Sequence, residues 1–455
     1  MLAEIFKSFV QQRSVSVMAR AALERLLSPQ WVDEVFEATT DGQYTRKLLF
    51  SSVFALMVRV VFGQAKSVRW AYLPKAEEIT VSLTSVYNKL NGITPATLAG
   101  LVRESGRACA RAIDEIGGRR PAWLKGYAIR ILDGNCLAAT EHRIEELRAL
   151  GAGALPGKSL VVYDPERGCV LDVVPCEDGH TQERALLSEI LPMVQKGELW
   201  IEDRNFCTRR FLFGVVAGRE AQVLVREHKN LPVVELGAVR PVGKTETGRV
   251  FEQDVALVSE DGEQTLRLRR VIVSLKGRTR DGDRELRLLT GLPRAIKATK
   301  VAKLYRGRWR IETAFQELER DLHSEIRTLG YPRAALFGFC VALVAYNVMA
   351  LVYGALRAQH GAQKIEDEFS HYYLAGELQM TYDGMMVAIP EEHWRVFAQM
   401  TDRQFIRVLM FLASHVNLQL FPKARRGPKK PPPKKQTDPG RPHVSTARIL
   451  ADRKK

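Results

Sequence analysis

Residues 127–134, YAIRILDG, mark the point at which a helical pattern gives way to a β-rich one. This stretch predicts a strand that ends at Asp133 and Gly134. Three consecutive strands followed by helix–strand alternation predict an α/β fold. The segments that follow are two strands in SLVVYDPERGCVLDVVP (159–175), a helix in TQERALLSEILPMVQ (181–195), a strand in ELWIEDRNF (198–206) ending at Asp203, a helix in TRRFLFGVVAG (208–218) and a strand in AQVLVREH (221–228).

The next part of the chain, residues 229–294, is β-rich and polar. RVFEQDVALVSEDGEQTLRLRRVIVSLK (249–276) alternates around a turn at residues 260–262, and RELRLLTGLP (284–293) continues the pattern. We interpret this part as a β insertion of several strands. A helix is expected to begin near Thr299, and residues 364–421 are expected to be helical.

Residues 1 to about 120 alternate apolar helical stretches with short polar breaks. In one helix, Thr94 is the expected N-cap and Pro95 the first helical residue, and the helix ends before Gly117. The short helix of VSLTSVYNKLNGI (81–93) could enter a DNA groove, and a purely structural helical bundle explains it equally well.

LYRGRWRIETAFQELERDL (304–322) places one acid, Glu312, among cations and aromatic residues. At about 100° per residue, a helix here would put Glu312 in a row beside the buried stripe. A helix-edge acid paired with Arg308 is one interpretation, and an acid of a site is the other. The expected buried stripe is Leu304, Ile311, Phe315, Leu318 and Leu322; the row is Tyr305, Arg308, Glu312 and Glu319; the expected water-facing residues are Arg306, Arg310, Glu317 and Asp321.

The run AALFGFCVALVAYNVMALVYGAL (334–356) has 23 residues without a charge, which is long enough to span a bilayer. Its Ala and Gly content, Asn347 in the middle and the lack of a second run nearby favour a buried core helix. We therefore expect no membrane partner, and we expect Asn347 to be hydrogen-bonded inside the protein.

The chain has a net charge of +16 over 455 residues, which favours a polyanionic partner such as nucleic acid. From residue 423 onward there are 12 Lys or Arg against two Asp, a net +10. This Pro-rich segment is expected to be a disordered basic tail that binds phosphates without sequence preference. A merely solubilising tail is the alternative. The six cysteines form no C-x2-C pair and no zinc pattern with the histidines, which fits reduced thiols in the cytoplasm.

Two acids at expected strand ends and one acid on a helix stand out: Asp133, Asp203 and Glu312. Carboxylates at strand ends of an α/β sheet project into the crevice where ligands bind. Three that converge there suit Mg²⁺ or Mn²⁺, and two such ions can support in-line displacement at phosphorus. Arg308 and Tyr305 would then hold a phosphate of the same substrate.

With these motifs in order, the sequence resembles the DDE transposases of the cut-and-paste insertion-sequence type, the insertion sequence four family. Its signature Tyr-x2-Arg-x3-Glu-x6-Lys is matched at Tyr305, Arg308 and Glu312, whereas Glu319 stands where the family has Lys. DGN at Asp133, DRNF at Asp203 and LTGLP at 289–293 also resemble family motifs. The resemblance covers roughly residues 120–350.

The resemblance implies an RNase H-like catalytic core interrupted by a β-rich insertion, in a bacterial, nucleoid-associated protein of the cytoplasm. The implied activity is metal-dependent cutting at terminal inverted repeats of double-stranded DNA and joining to target DNA, by a homodimer on DNA. Asp133, Asp203 and Glu312 would be catalytic and hold two Mg²⁺ or Mn²⁺ ions, and DNA would contact Tyr305, Arg308, Arg320, Lys429 and Lys430. The expected divisions are helical 1–120 for DNA-end recognition, core 121–228, β insertion 229–296, core 297–360, helical 361–421 and basic tail 422–455.

Two other functions compete with this one. A noncatalytic DNA-binding protein derived from a transposase would keep the basic charge without needing three acids. A sugar hydrolase with an acid pair needs two carboxylates flanking a bond, and it gives no reason for the net charge of +16 or the cluster at residues 308–310.

Overall fold

The computed structural model describes residues 3–40, 47–137, 154–279, 282–424 and 444–453. Within them the chain folds as a mixed α/β protein around a central sheet. Helices cover one face of the sheet in a thick layer, and short helices cover the other face.

The first part of the chain is helical throughout its described residues, as expected. The Thr94 hydroxyl accepts a hydrogen bond from the Thr97 backbone amide, and Pro95 occupies the first turn, so the predicted cap of this helix is confirmed. The helix ends at Glu115, before Gly117, whose φ of +70° favours glycine. The helices are α1 (Lys7–Leu26), α2 (Pro29–Thr39), α3 (Phe50–Val61), α4 (Val68–Tyr72), α5 (Leu83–Gly92) and α6 (Pro95–Glu115), with 3₁₀ turns at Glu4–Phe6 and Leu73–Lys75.

The predicted strands of residues 127–228 are present. The segment 181–195, expected to be one helix, is instead a short α-helix between two 3₁₀ turns, and Pro192 opens the second turn. The elements are β1 (Ala128–Leu137), β2 (Ala154–Leu155), β3 (Gly157–Asp164), β4 (Cys169–Cys176), a 3₁₀ turn (Glu183–Leu186), α7 (Leu187–Ile190), a 3₁₀ turn (Leu191–Met193), β5 (Glu198–Glu202), a 3₁₀ turn (Arg204–Phe206), α8 (Arg209–Phe213), a π turn (Gly214–Gly218) and β6 (Gln222–Arg226).

Residues 229–296 are β-rich, and their strands extend the central sheet instead of forming a separate one. β11 pairs antiparallel with β6, and the sheet order is β4-β3-β1-β5-β6-β11-β10-β9-β7, with β8 also on β9. The β1–β5 and β5–β6 pairs are parallel. The added strands are β7 (Val233–Glu235), β8 (Arg240–Lys244), β9 (Gly248–Val258), β10 (Thr265–Leu275) and β11 (Glu285–Thr290).

After the sheet the chain is helical again. The expected single helix over residues 304–322 is divided at Gly307 into two helices. A Cβ at Gly307 would lie 2.3 Å from the ring of Trp123, so the close approach of this ring requires glycine. The helices are α9 (Ala298–Arg306), α10 (Trp309–Asp321), α11 (Pro332–His360), α12 (Ala362–Glu368), α13 (His371–Ala388), α14 (Glu391–Ala398) and α15 (Asp402–Ser414), followed by a 3₁₀ turn at Leu418–Leu420.

The long apolar run is a core helix. α11 has the length and apolar character to cross a membrane, but protein surrounds it, and it packs on α6 and β4. Asn347 is fully buried; its amide donates to the Val170 carbonyl at 2.9 Å and accepts from the Val170 amide at 2.8 Å. The prediction for this side chain is confirmed.

The expectation of a disordered tail over residues 422–455 is wrong for its last part. β12 (Val444–Ser445) pairs in parallel with β2, and α16 (Thr446–Asp452) follows it. The Arg448 guanidinium donates to the Asp178 carboxylate at 2.9 Å. Ile449 and Leu450 are partly buried here. The Pro-rich composition of the tail as a whole did not predict these apolar contacts.

The predicted faces of the helix at 304–322 are partly confirmed. Four residues of the expected stripe are at most 4% exposed, and Phe315 is half-buried. Glu317 and Asp321, expected in water, have side chains only 15% and 2% exposed. α13 packs against α10 and covers this face. The confirmed residues are Leu304, Ile311, Leu318 and Leu322.

Candidate active site

Asp133 and Asp203 occupy matching positions on adjacent parallel strands. The last paired residues of β1 and β5 are Leu132 and Glu202, and each aspartate is the next residue along the chain. Asp203 directly follows β5, as predicted. Asp133 was expected to end its strand, but β1 continues to Leu137 because β3 still pairs with it there. What ends at Leu132 is the pairing with β5, so the two acids still share one edge of the parallel part of the sheet.

Glu312 reaches the same place from the helical layer. The turn between α9 and α10 is tight: the Arg308 amide donates to the Tyr305 carbonyl, and the Ile311 amide to the Arg308 carbonyl. This turn sets Arg308 just before α10 and Glu312 in its first turn. The Glu312 side chain is 47% exposed, which is more than its expected position at the edge of the core suggested.

Arg308 joins two of the three acids. Its Nη1 donates to Asp133 Oδ2 at 2.8 Å, and its Nη2 donates to Glu312 Oε1 at 2.7 Å. The Arg308 side chain is 10% exposed and that of Asp133 is 19% exposed, so the charge-assisted hydrogen bond between them is largely shielded from water, whereas the one to Glu312 is open to it. The helix-edge pair of Arg308 and Glu312 therefore exists, but the same guanidinium also holds Asp133.

Tyr305 is associated with the third acid. Its hydroxyl donates to Asp203 Oδ1 at 3.4 Å, a long contact. Burial raises the pKa of the Tyr305 hydroxyl, and the nearby Asp203 carboxylate raises it further. Tyr305 therefore stays a proton donor toward Asp203.

The Asp133 carboxyl is affected both by its burial and by the other two acids. Burial raises the pKa of the Asp133 carboxyl to about 6; Arg308 opposes this rise, whereas Glu312 and Asp203 add to it. A carboxyl group in this environment is stabilised either when it binds a proton or when a cation lies beside it. In the structure, the cation is Arg308.

The three acids are oxygen donors of the kind that Mg²⁺ or Mn²⁺ takes. Across the described residues, no three His, Cys, Asp or Glu side chains are grouped closely enough to hold a metal ion. The donor chemistry fits a divalent cation, because the site already holds a positive group, Arg308, against two of the three carboxylates. The arrangement does not yet present three ligands together, since Arg308 lies between Asp133 and Glu312.

The other residues that were expected to contact DNA either make different contacts or lie outside the described residues. The Arg320 guanidinium donates to Asp321 at 2.5 Å and lies 5.7 Å from the ring of Tyr372. Glu319 is exposed. Lys429 and Lys430 lie outside the described residues.

An electropositive groove beside α9 was missed by the sequence analysis. It lies between the β8–β9–β10 edge and α9, and its only acid among the described lining residues is Glu246, which accepts from Arg306 at 3.0 Å. Arg306 lowers the pKa of the Glu246 carboxyl, and Lys303 and Lys276 lower it further. Because its cations come from four separate segments, no local pattern marks the groove. The exposed cations lining it are Lys244, Arg249, Lys276 and Lys303.

Residues 125–348 match the protein family described as Transposase DDE domain. This range contains all three acids, Tyr305 and Arg308, and it defines the class of protein that this chain resembles.

The chain is also 24% identical over 277 residues to "Putative transposase y4zB" of Sinorhizobium fredii (strain NBRC 101917 / NGR234), a match that covers 59% of this chain and 67% of that protein. A solved structure described as a piggyBac transposase synaptic complex with hairpin DNA aligns over 87% of this chain and 84% of its own, at 10% identity and a TM-score of 0.35. A TM-score of this size does not establish a shared fold. The family match and the relative support a transposase.

Proposed function

We propose that this protein is a DDE transposase of the insertion sequence four type, which cuts double-stranded DNA at terminal inverted repeats and joins the element to target DNA. The observation that carries the proposal is that Arg308 joins Asp133 to Glu312 at the sheet edge that Asp203 shares, within residues that match the transposase family. The three consecutive strands β1, β3 and β4, with β5 and β6 parallel beside them, support an RNase H-like core.

In the proposed mechanism Asp133, Asp203 and Glu312 would hold two Mg²⁺ or Mn²⁺ ions. Such ions would activate the attacking water or 3′-hydroxyl and stabilise the leaving oxygen. Tyr305 keeps Asp203 oriented by its hydrogen bond. Arg308, released from the carboxylates, would bind a phosphate of the DNA end with both Nη atoms.

The groove would bind the DNA backbone at the β-rich part of the sheet. Lys303 on α9 and Lys244, Arg249 and Lys276 line it. Four exposed cations beside one already paired acid favour phosphate binding without base recognition. The helices of residues 1–120 are the proposed place of repeat recognition, and a homodimer would pair the two ends.

The alternative, a noncatalytic DNA-binding protein, is favoured by one observation: Glu319 is exposed where the signature has Lys. The two functions differ in whether the protein breaks DNA strands.

To distinguish the two functions, the purified full-length protein is incubated with DNA that carries the sequences flanking its gene. The incubation is done in Mg²⁺, Mn²⁺ or EDTA. We expect strand breaks at inverted repeats with either metal and none in EDTA. Sequence-specific binding with intact strands in all three conditions would instead support the noncatalytic alternative.

A further inference from the structure

Glu183 contacts both segments that carry the aspartates, and neither the sequence motifs nor the family match includes it among the site residues. It begins the 3₁₀ turn before α7, whose buried residues Leu186 and Leu187 pack on the face of the sheet opposite to α9 and α10. Glu312 and Glu183 therefore lie on opposite faces of the sheet at the candidate site.

The Glu183 carboxylate lies directly against the residue after Asp133. An ideal Cβ at Gly134 would be 2.1 Å from Glu183 Oε1, 2.5 Å from Cδ and 3.2 Å from Cγ, and these are its three nearest atoms. Side chains alternate along β1, so Asp133 faces Arg308 while position 134 faces Glu183. Glycine at 134 is what makes room for the carboxylate.

The second oxygen of the same carboxylate reaches the other aspartate segment. Asn205 Nδ2 donates to Glu183 Oε2 at 3.4 Å, and Asn205 belongs to the 3₁₀ turn that directly follows Asp203. One side chain thus contacts both acid-bearing segments.

These contacts occur where the sheet no longer fixes the spacing of the two segments. The pairing of β1 with β5 ends at Leu132 and Glu202, and beyond it no ladder hydrogen bond joins Asp133 to Asp203. We propose that Glu183 is a positioning residue that sets the separation of Asp133 and Asp203 through Gly134 and Asn205. This inference rests on the proposed function, since that separation matters for holding divalent cations.

The contact with Gly134 allows a double-mutant cycle of Glu183→Ala, Gly134→Ala and the double variant. Gly134→Ala should displace the Glu183 side chain, and Glu183→Ala removes all three atoms that a new Cβ would meet. Mn²⁺ affinity without DNA, measured by calorimetry, should fall about tenfold in each single variant, as for other residues that orient metal ligands. The double variant should match the single ones within about twofold.

Glu183→Gln separates positioning from charge, because a glutamine keeps an oxygen acceptor for Asn205. The Glu183→Gln variant should keep Mn²⁺ affinity within about twofold of wild type. A second readout is amide hydrogen exchange in the absence of metal: Glu183→Ala should speed exchange at residues 134–135 and 204–206 and leave residues 129–132 unchanged.

Additive effects in the double variant, or wild-type affinity and exchange in Glu183→Ala, would overturn the positioning role. A Glu183→Gln variant as weak as Glu183→Ala would also overturn it, because charge alone would then matter. Failure of the proposed function looks different: Asp203→Asn would then bind Mn²⁺ as wild type does, whereas the exchange effect of Glu183→Ala would remain.

Discussion

The guanidinium of Arg308 lies 2.8 Å from the carboxylate of Asp133, a residue 175 positions earlier in the chain. Together with its hydrogen bond to Glu312, this contact places a protein cation between two of the acids that we propose as metal ligands. Arg308 and a metal ion are therefore expected to compete for the same carboxylates.

Arg308→Ala should tighten Mn²⁺ binding in the absence of DNA by about tenfold, because two charge-assisted hydrogen bonds no longer oppose the ion. The same variant should lose DNA cleavage, since no guanidinium remains to bind the phosphate. Calorimetry and a cleavage assay measure the two effects separately.

Arg310→Ala is the matched control, because Arg310 lies 3.5 Å from Glu366 and over the ring of Trp123, away from Asp133 and Glu312. It should leave Mn²⁺ affinity unchanged. Weaker Mn²⁺ binding in Arg308→Ala would show that the arginine supports the ion instead of competing with it.

Asp133→Asn, Asp203→Asn and Glu312→Gln each keep the size of the side chain and remove one negative charge. Each should lower cleavage of an inverted-repeat substrate at least about 100-fold, because phosphoryl transfer depends on positioned charge. DNA binding, measured by gel shift, should survive in all three. Glu319→Gln, exposed on the same helix, should cleave normally; loss of cleavage there with a fully active Glu312→Gln would mean that the acid is wrongly assigned.

The groove and the tail should contribute electrostatically to DNA binding. In one variant, Gln replaces the four groove cations Lys244, Arg249, Lys276 and Lys303. The slope of log DNA affinity against log salt concentration should become shallower by about 0.9 for each phosphate that is no longer bound. Lys429→Gln with Lys430→Gln should do the same to a smaller extent, equally on repeat and unrelated DNA. Lys196→Gln is the control, because Glu220 already neutralises Lys196; an unchanged salt slope in the groove variant would refute this role.

Glu317 should make stability depend on pH. Burial raises the pKa of its carboxyl from 4.5 to about 7, and Asp321 adds to this rise. Between these pH values the folded protein binds more protons than the unfolded chain, so the free energy of unfolding falls as pH rises, by up to about 3 kcal/mol.

Glu317→Gln should remove this part of the pH dependence and raise stability at pH 8, with little effect at pH 4. Urea unfolding at several pH values measures it. His371, 3.8 Å away, does not offset the charge because burial keeps its pKa well below 6.5. The exposed Glu319→Gln should leave the pH profile as in wild type, and an equally steep profile in Glu317→Gln would contradict the prediction.

Asn347 should be important for stability out of proportion to its size. Asn347→Leu fills a similar volume but leaves the amide and carbonyl of Val170 without their buried partner. The expected decrease is about 2–4 kcal/mol in urea unfolding. Asn417→Leu, in the exposed 3₁₀ region near the C-terminal end of the helices, should cost much less.

Features that depend on neighbouring residues could be predicted from the amino-acid sequence. The strand before Asp203, the cap at Thr94, the β-rich character of residues 229–296 and the core helix around Asn347 all follow from local periodicity, capping chemistry and unbroken apolar composition. The position of Glu312 beside Arg308 follows from helix geometry in the same way, since residues four apart share a face.

Features that depend on distant parts of the chain could not be predicted from local sequence. The register of β1 on β5 places Asp133 beside Asp203, and the packing of α13 on α10 buries Glu317 and Asp321. The pairing of β12 with β2 orders the end of the basic tail, and the gap at Gly134 admits Glu183. Periodicity gives the face on which a side chain lies, but which element covers that face is set by contacts between residues far apart in sequence.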